Sequence, residues 1–219
     1  MIRIRYRFAT ALALAGFAAL AAMSPPGLIG TAMAQSIAAS LLTQPTALPD
    51  MALGDAKAPV TIFEFASMSC PHCAAFEQNV FPMLRSKYID AGKVRYVFRE
   101  FPLDIKAASA AVLARCIANG NVEKFYGVID TMFKQQDALM EQTKETLLAI
   151  GKQGGLDDKG VDACVGDQSA MDKLSADETF ASQKLKVDAT PTFFINGRMT
   201  KGAISFEEFE AKLKPLLKK

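Results

Sequence analysis

The chain has 219 residues, half of them hydrophobic and 22% charged, a mix that builds a packed core and excludes a disordered polymer. Its formal charge is +2, yet Arg3, Arg5 and Arg7 are the only charges before Asp50, and without those three the 25 basic residues fall one short of the 23 acidic ones. The basic surplus belongs to the N-terminus, so nucleic-acid binding loses its main support.

Residues 1–34 read as an export signal. Met1 to Arg7 is a positive stretch, Phe8 to Met23 an apolar run rich in Ala and Leu, and Ala32-Met33-Ala34 a small-x-small cleavage site. The apolar run is shorter than the roughly 20 residues that cross a bilayer, and Ser24-Pro25-Pro26 breaks it. Cleavage after Ala34, release into a periplasm and no stable membrane insertion are the expectations. No Arg-Arg pair asks for twin-arginine export, and no Cys at the mature start asks for a lipid.

Gln35 to Lys57 is a polar lead-in without periodicity. Val60 to Phe65, β-branched and aromatic, reads as a strand, and a short loop leads to Cys70. Cys70 opens a helix that takes Pro71 in its first turn, where a missing N–H costs nothing. The helix is expected to reach about Tyr88, bent at Pro82, before a second strand, Val94 to Phe98, that Phe101-Pro102 stops. Strand, helix and strand at this spacing form a βαβ unit with parallel strands.

From Lys106 to about Lys186 helical signals dominate: Ala107–Ala118, Val122–Lys134, Thr143–Lys152, a short helix capped by Asp157, and Ser169–Leu185. Then Thr192–Ile195, the hairpin signal Asn196-Gly197 and Arg198–Lys201 return to β, and Ser205-Phe206-Glu207-Glu208 is a capping box opening a last helix to Leu217. The expected architecture is α/β, a thioredoxin fold with an inserted α-helical domain. Residues 58–104 and 187–219 supply its two halves and 105–186 the insertion.

The chemistry centres on Cys70-Pro71-His72-Cys73. A cysteine attacks only as the thiolate, and the free N–H groups and macrodipole at a helix N-terminus favour that anion at Cys70. His72 adds positive charge beside the sulfur. Cys73, one turn in and more buried, is placed to displace a partner from Cys70. Stabilising a thiolate stabilises the reduced form, so the Cys70–Cys73 disulfide becomes more oxidising. A purely structural staple is disfavoured, because so short a loop cross-links little chain. No zinc-ribbon spacing is present and His72 is the only histidine, so neither a metal nor another cofactor is expected.

Phe63-Glu64-Phe65, the CPHC motif, Val97 to Leu103 and the late Thr190-Pro191-Thr192 resemble the DsbA family of thiol:disulfide oxidoreductases, over about Gly54 to Lys219. The resemblance implies a cis peptide before Pro191, packed against the CxxC, with the Thr190 backbone pairing to a client strand. It makes Glu64 a buried acid that relays a proton to or from Cys73, and sets Arg95 roughly where the family has a basic partner for that acid. The chain departs from the family pattern in having no Trp. Met68 in the approach loop could offer apolar client contact or sit in the core.

Cys116 and Cys164 either pair, closing a loop of about 50 residues worth about 4 kcal/mol on the chain-entropy model, or stay as two buried thiols. Relatives with an extra bridge in this insert favour the structural disulfide. The implied activity is donation of the Cys70–Cys73 disulfide to reduced, unfolded exported proteins by a monomer re-oxidised by a DsbB-type membrane oxidase. The alternatives are a reductase or isomerase of the same fold, and a peptide-binding chaperone without catalysis.

Overall fold

The computed structural model describes residues 38–218; the expected leader and its cleavage site lie outside them. Five strands form one mixed sheet in the order β1-β3-β2-β4-β5. They are β1 (Met51–Leu53), β2 (Val60–Ala66), β3 (Val94–Glu100), β4 (Thr192–Ile195) and β5 (Arg198–Lys201). Strands β2 and β3 are parallel, with Ile62 opposite Tyr96 and Glu64 opposite Phe98; the other pairings are antiparallel. The connection between the parallel pair is helical, as a parallel crossover requires.

That connection differs from one bent helix. Helix α1 (Pro71–Asn79) ends at Val80, and α2 (Phe81–Leu84) runs on into a π turn, Arg85–Ile89. Pro82 has no N–H to give the preceding turn, so the ladder breaks there and restarts. Strand β1 is the other departure, because three residues are too few to show a period. It is held by its ladder to β3 and by Asp50, whose carboxylate takes two hydrogen bonds from the buried Arg99 at 2.8 and 3.0 Å.

Between β3 and β4 come α3 (Ile105–Ala118), α4 (Val122–Lys134), α5 (Gln136–Glu141), α6 (Thr143–Gln153), α7 (Asp158–Val165) and α8 (Gln168–Lys184). Their starts follow local chemistry: Asp104, Asn121, Asp157 and Asp167 each accept a backbone N–H of the following turn. The short α5 has no capping side chain, and sequence reading passed over it. Helix α9 (Phe206–Leu213) opens with the expected capping box but stops short of Leu217, because Pro215 cannot donate to the preceding turn.

The sheet buries both faces. Ile62, Tyr96, Phe98 and Phe193 face α1, α2, α9 and the helices between β3 and β4 in one continuous core. Phe63, Phe65, Val97 and Phe194 face Leu42, Ala181, Leu185 and Val187 on the other side. The intervening helices pack on the core that carries the CxxC helix: Phe81 stacks on Tyr126 at 5.8 Å, and the Tyr126 hydroxyl accepts the Phe98 N–H at 3.1 Å and donates to Met51 O at 3.0 Å. Cys116 and Cys164 are disulfide-bonded, tying α3 to α7. Among the described residues no helix is long and apolar enough to cross a membrane.

Candidate functional site

The loop Ser67–Ser69 turns β2 into α1. Ser67 O accepts the Cys70 N–H at 3.1 Å, and Cys70, in extended conformation, is the N-cap of α1 with Pro71 following. Cys70 and Cys73 are both free thiols and both buried. Their environments push them apart. The Cys73 thiol, the Thr190 side chain and the N–H groups of Cys73 and His72 all favour the Cys70 thiolate against the opposing pull of burial, holding its pKa down at about 5. Burial, the hydrogen bond to Cys70 and the nearby Glu64 push the Cys73 thiol far up, so it stays protonated. Opposed shifts in one dithiol suit one sulfur to attack and the other to hold a proton.

The loop before β4 closes over this pair. The Thr190–Pro191 peptide is cis, and Cys70 Sγ donates to Thr190 O at 3.3 Å. The buried Thr190 hydroxyl has no hydrogen-bond partner among the described residues, and the Thr190 side chain favours the Cys70 thiolate. Replacing Thr190 by Val keeps the shape and removes that donor. The Cys70 pKa, followed by thiolate absorbance against pH, is expected to rise by about one unit.

Glu64 lies beneath the dithiol, buried on the Tyr96 face of the sheet. Burial raises its carboxyl to about 8, while a short hydrogen bond from Tyr96 opposes the rise. Arg95 is not its partner: it pairs with Thr61 in the parallel register and so stands on the opposite face of β3 from Tyr96. A shift of one residue along a strand exchanges faces, and that shift separates the expected basic partner from the observed tyrosine. His72 is exposed, and its backbone N–H favours the Cys70 thiolate. Met68 is buried in the core, so it offers no client contact.

Two further groups belong here. Glu77, one turn past Cys73 on α1, is buried, and burial with the charge of Glu64 raises its pKa well above the carboxylate range. Its spacing of four from Cys73 was a readable signal. Gln136 on α5 donates to the carbonyls of Met68 and Cys70, a contact that no local pattern announces.

A dithiol at a helix N-terminus, facing a cis-proline loop on a mixed sheet, defines a thioredoxin-fold protein. A family profile described as thioredoxin matches residues 46–215. A putative protein-disulfide oxidoreductase of Rickettsia felis is 37% identical over 153 residues, 69% of this chain and 54% of that protein. A probable disulfide bond formation protein D of Bacillus cereus is 31% identical over 152 residues, 67% of this chain and 70% of its own length. The crystal structure of Wolbachia pipientis alpha-DsbA1 superposes with a TM-score of 0.73 at 34% identity, covering 80% of this chain and 94% of that one. The chain belongs to the thioredoxin family and, within it, to the DsbA-like thiol:disulfide oxidoreductases. It spans about half the length of the rickettsial relatives.

Proposed function

We propose that the protein is an exported disulfide oxidase. A client thiolate attacks Cys70 Sγ of the Cys70–Cys73 disulfide, the S–S bond breaks, and Cys73 leaves as a thiolate that takes up a proton. Glu64, with a pKa of about 8, is the neighbouring acid suited to supply it. A second client thiolate then attacks the client sulfur of the mixed disulfide and Cys70 leaves as a stabilised thiolate. Two electrons pass from the client pair to the protein. A membrane oxidase of DsbB type takes them on, and no bound cofactor is needed. The backbone of Thr190, beside Pro191, pairs with the client strand.

The observation that carries this reading is the placement of Cys70 at the N-cap of α1, with Sγ 3.3 Å from Thr190 O beside the cis Pro191, surroundings that lower its pKa to about 5. Against an ordinary thiol near 8.5, a pKa of about 5 stabilises the reduced form at pH 7 by about two pKa units, roughly 60 mV towards oxidising. Titration of the purified protein against glutathione, with thiols counted by mass spectrometry, tests it. A couple more oxidising than the glutathione pool is expected. A thioredoxin-like potential points instead to a reductase. The same spectra are expected to show Cys116 and Cys164 bridged throughout, as a structural disulfide should be.

A further inference from the structure

Gln136 is the first residue of α5, far along the chain from the CxxC, and its side chain is buried. Its amide nitrogen donates to Met68 O at 2.8 Å and to Cys70 O at 3.0 Å. The two carbonyls bracket Ser69 and form the last step of the chain before α1. Cys70 O is also the first acceptor of α1, taking the N–H groups of Cys73 at 3.1 Å and Ala74 at 3.2 Å. Among the described residues, Met68 O takes no other hydrogen bond. A second glutamine, Gln78 on α1, donates to Phe133 O at 3.2 Å, so α1 is fastened to the α4–α5 corner from both sides.

We propose that Gln136 is a positioning residue for Cys70, through which the helices between β3 and β4 set the reactivity of the attacking sulfur. This rests on the reading of Cys70 as the attacking thiolate. A carboxamide suits the task because its NH2 carries two protons in one plane and can hold two carbonyls at once, without charge. A carboxylate there would set acceptor against acceptor, and a buried ammonium would add a desolvated charge. Holding both carbonyls fixes Cys70 at the N-cap, beside the N–H groups of His72 and Cys73 that favour its thiolate and with Thr190 O 3.3 Å from Sγ. Freed of Gln136, the Met68 carbonyl loses its only donor among the described residues and the loop reorients to find another. The sulfur then shifts relative to the helix N-terminus and to Thr190 O.

The test is the pH dependence of iodoacetamide labelling at Cys70 in the reduced full-length protein, read beside urea unfolding. Gln136→Met keeps the length and volume and removes both donors. Its labelling midpoint is expected to rise by about one pH unit, a tenfold loss of thiolate below the midpoint. Thr146→Val is the control. It removes a buried hydrogen bond of the same helical segment, Thr146 Oγ1 to Ala138 O at 3.0 Å, without touching the loop, and is expected to lower stability with the midpoint unmoved. An unmoved midpoint in Gln136→Met, with stability alone reduced, overturns the proposal, as does an equal shift in the control. Should Gln136→Met fail to fold, Gln136→Asn, one methylene short of both carbonyls, is read the same way. An unsubstituted protein that labels with a midpoint near 8.5 overturns the thiolate reading itself, and the proposal with it.

Discussion

Cys73→Ser is expected to convert the protein into a covalent trap. Mixed with an oxidised cystine peptide, it should accumulate one peptide per protein at Cys70, visible as a single mass increment that dithiothreitol removes. Attack needs a thiolate, and with the serine hydroxyl standing in for the Cys73 thiol as donor, the Thr190 side chain and the N–H groups of the first turn of α1 still hold Cys70 mostly ionised at pH 7. Release needs an internal thiol, and the serine hydroxyl cannot supply one. Cys70→Ser should form no adduct, because the remaining Cys73 is buried and keeps its proton. At pH 7 the two variants should differ in labelling rate by at least about 100-fold, the ratio of ionised fractions across two pKa units. Adducts forming equally on either cysteine would mean that the two sulfurs do not have separate roles. A chaperone that uses only the groove beside Pro191 should keep its holdase activity in both variants, whereas an oxidase should lose turnover in both.

Much of this site was legible in the sequence because it is built from local signals. A strand, a loop and a Pro-started helix place Cys70 at an N-cap whatever packs behind it, and Thr190-Pro191 before a strand marks the facing loop. Ser205 and Glu208 announced the capping box, which both hydrogen bonds complete. The parts that escaped are those set by register or by distant packing. Glu64 was expected to be buried, and it is; its partner Tyr96 depends on which residue of β3 faces which of β2, and a reading one residue off selects Arg95 on the other face. Strand β1 has no pattern of its own and exists because β3 offers an edge and Arg99 holds Asp50. Gln136 escaped for the most general reason: its two acceptors are carbonyls, which every residue has, and only the fold brings them to it.

The pH dependence of stability should differ between the reduced and oxidised protein in a direction that the same two sulfurs determine. In the reduced protein Cys70 has a folded pKa of about 5, below that of an unfolded thiol near 8.5. Between those values the unfolded chain binds a proton that the folded one does not, so the contribution of Cys70 to stability grows as pH rises. It is fully present above about 8.5, is partly present at pH 7, and is lost as pH falls through 5. Glu64 acts in the opposite sense. Its folded pKa of about 8 stands above its unfolded value, so it costs stability increasingly as pH rises from the carboxylate range to 8. Cys73, raised as well, costs stability above about 8.5. Glu64 and Glu77 are present in both redox forms, so subtracting the two urea-unfolding profiles removes most of their effect. The residue is the Cys70 contribution, reduced where the Cys70 thiolate itself pushes the Glu64 carboxyl up. The reduced form should therefore gain on the oxidised form from pH 5 to about 8.5, by a few kcal/mol in all, and level off or turn down beyond. Under the proposed function, that gain is the same free energy that would make the disulfide oxidising. A difference that stays flat across the window would remove the thiolate as the source of oxidising power, and with it the reason to read the protein as a donor of disulfides.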